Sequence, residues 1–203
     1  MESGLIIGDY IRDEMGKAST VIDRMMADDA FIDTVGRVGA MCAEAIRAGG
    51  KVMFCGNGGS AADCQHLAAE MVGKLVFDRP GMAGLALTTD TSALTAIGND
   101  FGYEHVFARQ VQGLGRAGDV LVGISTSGRS KNVVKAMETA RALRISTVAM
   151  TGSTAGAMSQ LADEWIAIPH GETQKVQEGH MIVGHIFCAL VEAAIHDDKR
   201  PAG

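Results

Sequence analysis

The stretch Lys51–Glu70, KVMFCGNGGSAADCQHLAAE, runs from an apolar segment through a glycine-rich turn into a pattern of small apolar residues. Val52 to Cys55 show no polar alternation, as expected of a strand covered on both faces. Gly56, Gly58 and Gly59 suit a tight turn, and from Ser60 onward the spacing predicts a helix. A strand that breaks through glycines into a helix opens a βα unit. Such a turn can cradle a dinucleotide or a phosphate, and His66 and Glu70 on the helix could serve a metal or acid/base chemistry.

Outward from this unit the same alternation repeats. Short apolar strands are predicted at Lys51–Cys55, Gly84–Leu87, Asp119–Ile124, Ile145–Met150 and Trp165–Ile168. Helical patterns separate them at about 60–74, 91–98, 103–114, 130–143, 155–161 and 173–196. Strand–helix alternation of this kind predicts an α/β fold, a doubly wound five-stranded parallel sheet with right-handed crossovers and flanking helices. Ahead of the first strand, Ile7, Ile11, Met15, Ala18, Ile22 and Met25 or Met26 mark an amphipathic helix over 5–27. Phe31, Val35, Val38, Cys42, Ala45 and Ile46 mark a second over 31–48, stopped by Gly49-Gly50. This N-terminal helical hairpin, residues 1–50, must pack on the 51–203 core or on another subunit, and the whole of 1–203 reads as a single domain.

Composition narrows the function. The chain has 203 residues, 47% of them hydrophobic, which suffices for one sizeable α/β domain. Its net charge of −6 argues against nucleic acid or an anionic membrane as a partner. The acidic N-terminus does not read as a signal peptide, and the most apolar run, MIVGHIFCALV, is short and holds a histidine. Cys42, Cys55, Cys64 and Cys188 form no C-x-x-C pair and read as buried free thiols of a reducing cytoplasm.

Two strand ends carry chemistry. One is Cys55-Gly56-Asn57-Gly58-Gly59-Ser60; the other is Ile124-Ser125-Thr126-Ser127-Gly128-Arg129-Ser130. A hydroxyl-rich turn opening a helix offers free N–H groups, hydroxyl donors and the positive end of the helix dipole, an anion site suited to phosphate. The plain alternative for the second loop is a turn with Ser130 as helix N-cap. Four hydroxyls and a glycine within six residues exceed what a cap needs. A dinucleotide reading of Gly56-x-Gly58-x-x-Ala61 wants a carboxylate about 20 residues further on. The nearest candidate, Asp90, lies well beyond that, and the serine-threonine loop would stay unexplained.

His66 and Glu70 are i and i+4 and share a helix face. The plain alternative is a solvent-facing pair. The last helix adds Gln177, Glu178, His180 and His185. Gln177 and His185 lie about 80° apart around it, whereas His180 and His185 lie about 140° apart and do not readily serve one site. His185, inside an apolar run, faces a core, a site or an interface. Gly98-Asn99-Asp100-Phe101-Gly102 reads as a polar turn between helices.

Four blocks in order, GNGGSAADCQHLAAE, TAIGNDFGYEHVFARQV, GDVLVGISTSGRSKNV and QEGHMIVGHI, resemble the SIS (sugar isomerase) domain family, and within it the phosphoheptose isomerases. The resemblance implies a cytoplasmic homotetramer that converts sedoheptulose 7-phosphate to D-glycero-D-manno-heptose 7-phosphate, for nucleotide-activated heptose and surface glycans. It implies one Zn2+ per subunit on His66, Glu70, Gln177 and His185, and an acid/base pair of Glu70 and His185. Its sugar-phosphate contacts fall on Asn57, Gly58, Gly59, Ser60, Glu70, Asn99, Asp100, Ser125, Thr126, Ser127, Ser130 and Gln177. One departure is Gln174, with Glu172 nearby, where some members carry an aspartate three residues before the site glutamine. Two non-enzymatic relatives compete: an adaptor that binds the replication initiator DnaA, which lacks the acid/base pair, and sugar-phosphate-sensing regulators. The regulators usually add a DNA-binding domain, for which this chain has no room or basic patch.

Overall fold

The computed structural model describes residues 7–197. The outer ends of the 1–50 and 51–203 segments, including the first two residues of the helix expected from 5, lie outside that range. Five strands form one sheet: β1 Val52–Gly56, β2 Gly84–Ala86, β3 Val120–Ile124, β4 Ser146–Thr151 and β5 Glu164–Ala167. All four pairings are parallel and the order is β2-β1-β3-β4-β5. Lys51 falls just outside β1 because its N–H is taken by Asp119 Oδ1 at 3.0 Å, with Lys51 Nζ on the other carboxylate oxygen at 2.6 Å.

Among the described residues, eight α-helices accompany the sheet: α1 Ile7–Met26, α2 Asp29–Arg47, α3 Gly59–Val72, α4 Thr91–Phe101, α5 Ala108–Leu114, α6 Lys131–Ala142, α7 Ala157–Leu161 and α8 Thr173–His196. β1 shows how the two layers arise. Val52 and Phe54 point to one face, where they join Val38, Cys42, Leu67, Val183 and Phe187 of α2, α3 and α8. Met53 and Cys55 point to the other, among Val111, Val133, Met137 and Met158 of α5, α6 and α7. The chain therefore has a core on each side of a sheet buried on both faces, as its unalternating strands require.

Two details correct the sequence reading. The segment 98–101 is the last turn of α4, not a loop, because the helix ends at Gly102 with φ 88°, a conformation open to glycine. The helix expected over 103–114 is split into a 3-10 turn at Tyr103–His105 and α5. Asp90, weighed above as a ribose ligand, caps α4 instead, its carboxylate accepting from Ala93 N at 2.9 Å.

Sheet order then places the site. β1 and β3 are neighbours whose following connections leave in opposite directions, to β2 on one side and β4 on the other. The two glycine- and serine-rich loops thus face each other across the switch point of the sheet.

Candidate active site

The loops after β1 and β3 enclose a cleft lined by Asn57, Gly58, Gly59, Ser60, Ser125, Thr126, Ser127 and Ser130, closed on its far side by Thr173 and Gln177 of α8. Gly58 has φ 57° and releases the chain into α3. Ser130 occupies the N-cap position of α6, but its hydroxyl makes no bond to its own helix. It lies 2.8 Å from Ser125 Oγ, which is 3.4 Å from Ser127 Oγ. Three hydroxyls so converge on a space that the N-termini of α3 and α6 also face, an arrangement suited to a phosphate dianion. The Asn57 side chain is engaged elsewhere. It exchanges two hydrogen bonds with the buried Asn132, at 2.9 and 2.7 Å, which ties the first loop to the second. Asn132 stands in the third quoted block, and its signal is an asparagine just inside a helix start, where it suits a cap better than a core.

On the outer side of α3, His66 Nε2 is 3.3 Å from Glu70 Oε1 and 2.8 Å from His185 Nε2 on α8. The two imidazoles meet edge-on, ring centroids 5.0 Å apart. One nitrogen of that contact must present a proton and the other a lone pair, unless both lone pairs turn to a cation. Among the described residues, these three offer donor atoms all within 4.8 Å of one another. Two imidazole nitrogens and a carboxylate oxygen at that spacing fit a zinc ion with a position left open. A third donor joins the His66–Glu70 pair from a helix 119 residues away in sequence.

Gln177, which lines the cleft, stands about two turns before His185 on α8. Its carboxamide rests on Gly59, where a Cβ would collide with it. His180 takes no part. It is fully buried, with Nε2 3.1 Å from Thr151 O, and burial pushes its pKa down to about 4. Glu178 pairs with Lys175, and Gln174 donates to Glu172 at 2.9 Å on the surface. Asn99 donates to Asp100 at 2.8 Å; both are exposed and neither lines the cleft. Just beyond their segment, the Tyr103 hydroxyl reaches the first loop, 3.4 Å from Asn57 Oδ1.

Asp63, one turn before His66, escaped the sequence reading. Its Oδ2 is buried without a partner, and desolvation raises its pKa to about 6 against the opposing pull of His66. The signal was its i, i+3 spacing to His66. The four cysteines are free and buried, and desolvation pushes the Cys42 and Cys55 thiols up to about 12, which leaves them unreactive.

The SIS domain family matches residues 13–152. A phosphoheptose isomerase of Burkholderia pseudomallei is 50% identical over 186 residues, 92% of this chain and 94% of that protein. One of Aneurinibacillus thermoaerophilus is 48% identical over 193 residues, 95% of this chain and 98% of that protein. The chain belongs to the phosphoheptose isomerase family of SIS-domain proteins. Its fold agrees with that of a phosphoheptose isomerase of Neisseria gonorrhoeae, 38% identical, with a TM-score of 0.86 over 92% of this chain and 99% of that one. The phosphoheptose isomerase likeness therefore spans the helical hairpin as well as the sheet, and both clusters of the site fall within it.

Proposed function

We propose that this chain interconverts sedoheptulose 7-phosphate and D-glycero-D-manno-heptose 7-phosphate. The carrying observation is that the hydroxyl cleft and the His66–Glu70–His185 cluster lie along one pair of helices, α3 and α8. The printed names of the relatives support the substrate.

The reaction moves a proton between C1 and C2 through an enediol. The cleft of Ser125, Thr126, Ser127 and Ser130 holds the phosphate, which fixes the register of the sugar chain. Glu70, ionised, takes the proton from C1 of the ketose and returns it to C2. His185 gives a proton to the C2 carbonyl oxygen while the C1 hydroxyl gives one up, so the imidazole ends as it began. His66 holds Glu70 and His185 in place, and Asp63 stands one turn behind it. Zinc, held by His66, Glu70 and His185 with Gln177 as a further donor, would polarise the substrate oxygens. Asn99 and Asp100 are proposed substrate contacts that need either movement of the end of α4 or a neighbouring subunit.

The adaptor reading is disfavoured because both members of the acid/base pair are present and the structure joins them through His66. A homotetramer is proposed from the apolar outer face of α1, α2 and α8, where Met26, Ile32, Ile186 and Leu190 are exposed. The free thiols suit a cytoplasmic setting. The helix α8 is long and apolar enough by composition to cross a membrane, yet it carries buried Lys175 and Glu192 and packs on α2 and α3, as a core helix does.

The test is to incubate the purified protein with sedoheptulose 7-phosphate and follow the aldoheptose 7-phosphate by NMR. Product is expected. Its absence from zinc-loaded, folded protein would overturn the reading and redirect the search to a protein partner.

A further inference from the structure

Helices α3 and α8 run side by side in the same direction. Gln177 rests on Gly59 near their starts, and His185 meets His66 halfway along. A third tie closes the far end. Arg79, in the loop after α3, meets Glu192 of α8, with Arg79 Nε donating to Glu192 Oε1 at 3.0 Å. Neither side chain exposes any surface. Two charges so buried are expensive unless every donor and acceptor is met. Here they are met. Arg79 Nη1 donates to Met71 O at 2.8 Å and Gly73 O at 2.7 Å, and Nη2 donates to Glu70 O at 2.8 Å. Glu192 accepts from Leu75 N at 3.1 Å and Val76 N at 2.8 Å.

The choice of carbonyls matters. The last four C=O groups of a helix have no partner within it, and those of Glu70 and Met71 belong to this set. Arg79 satisfies them from a buried position and places a cation at the negative end of the α3 dipole. The turn it holds is the turn that carries the Glu70 carboxylate. Glu192 is seven residues beyond His185, hence two turns along the same face of α8. The ion pair thus ties the backbone of the carboxylate's residue to the helix that bears the imidazole. An apolar pair could fill the same space but could not hold the Glu70 carbonyl.

We infer that Arg79 and Glu192 are positioning residues for proton transfer, setting the Glu70 carboxylate against His185. The inference rests on the isomerase reading above and adds two residues to it. A loosened last turn of α3 displaces the base, and a shift near 1 Å can cost about 100-fold in rate. The anion cleft, at the other end of the helix pair, would be spared.

The experiment compares steady-state constants for sedoheptulose 7-phosphate, with zinc supplied, among wild type, Arg79→Lys, Arg79→Met and Glu70→Gln, with circular dichroism as a check on folding. Arg79→Met should lower kcat by about 100-fold and Arg79→Lys by about 10-fold, with KM within about 3-fold of wild type. Lysine restores the charge but not the fork that reaches several carbonyls at once. A folded Arg79→Met protein with kcat within about 2-fold of wild type would overturn the inference and leave the pair a stabilising contact only. So would a KM that rises in step with the loss of kcat, which would indicate general loosening. Should Arg79→Met not fold, Glu192→Gln, which keeps the shape and loses the charge, is judged by the same criteria. Retained turnover in Glu70→Gln would remove the isomerase reading of Glu70, and this inference with it, whatever Arg79 does.

Discussion

His180 and His185 stand five residues apart on α8 in opposite circumstances. His185 faces another imidazole at the site, while His180 is sealed against Thr151 O, its pKa pushed down to about 4 by burial. Its folded pKa lies below its unfolded one, so the unfolded chain binds more protons between the two values. Stability from neutral His180 is therefore complete above about pH 6.5 and is lost as pH falls towards about 4, by on the order of 3 kcal/mol. Urea unfolding from pH 7 to 4 should show this slope in wild type and a shallower one in His180→Leu; equal slopes would assign acid lability elsewhere. Asp63 acts in the opposite sense, its raised pKa favouring the folded state as pH falls through about 6, so the comparison of the two proteins isolates His180. Ser130 offers a second test. Its hydroxyl does not cap α6, so Ser130→Ala should cost little stability, yet raise KM about 10-fold through the loss of one bond to a charged phosphate. Unchanged KM would remove that hydroxyl from the cleft. The hydroxyl-rich turn at a helix start was legible in the sequence, but the use of each hydroxyl was not, because a cap and a ligand ask for the same residue in the same place.

Among the elements, the seam between α3 and α8 does most to make a site out of the fold. It is close because Gly184 faces Leu67, and a Cβ there would stand 2.6 Å from Leu67 Cδ2. Gly184→Ala should therefore push the helices apart, with a cost of about 1–3 kcal/mol in stability and a fall in turnover larger than the fall in phosphate affinity. An alanine variant as active as wild type would show that the seam tolerates a change of spacing. The strands, the helices and their order could be read from the chain because periodicity is local. The pairing of His66 with His185 could not. Helical spacing shows which side of α8 is apolar, not which helix will lie against it. Arg79 was invisible for the same reason, since a lone arginine before a proline reads as an exposed turn residue until Glu192 is brought to it. The α4 end was misread because Gly98 and Gly102 are equal as stop signals in sequence, and only the φ of 88° at Gly102 decides between them.

At the scale of the whole molecule, the strand order β2-β1-β3-β4-β5 puts both loops at one end of the sheet, where the start of α8 lines the cleft. The N-terminal hairpin lies outside this logic. With α8 it presents an apolar surface around Ile32, Ile186 and Leu190, which the sequence anticipated only as helices lacking a sheet layer of their own. If that surface is where subunits meet, Ile186→Glu should yield smaller particles by light scattering, and an unaltered size would place the contact elsewhere. The account as a whole depends on Glu70 as the base. The measurement to make first is the turnover of sedoheptulose 7-phosphate by Glu70→Gln beside wild type, with circular dichroism and phosphate binding as controls. A loss of at least about 1,000-fold with fold and phosphate binding intact is predicted for removal of a residue that makes and breaks the C–H bond. Turnover within about 10-fold of wild type would contradict it.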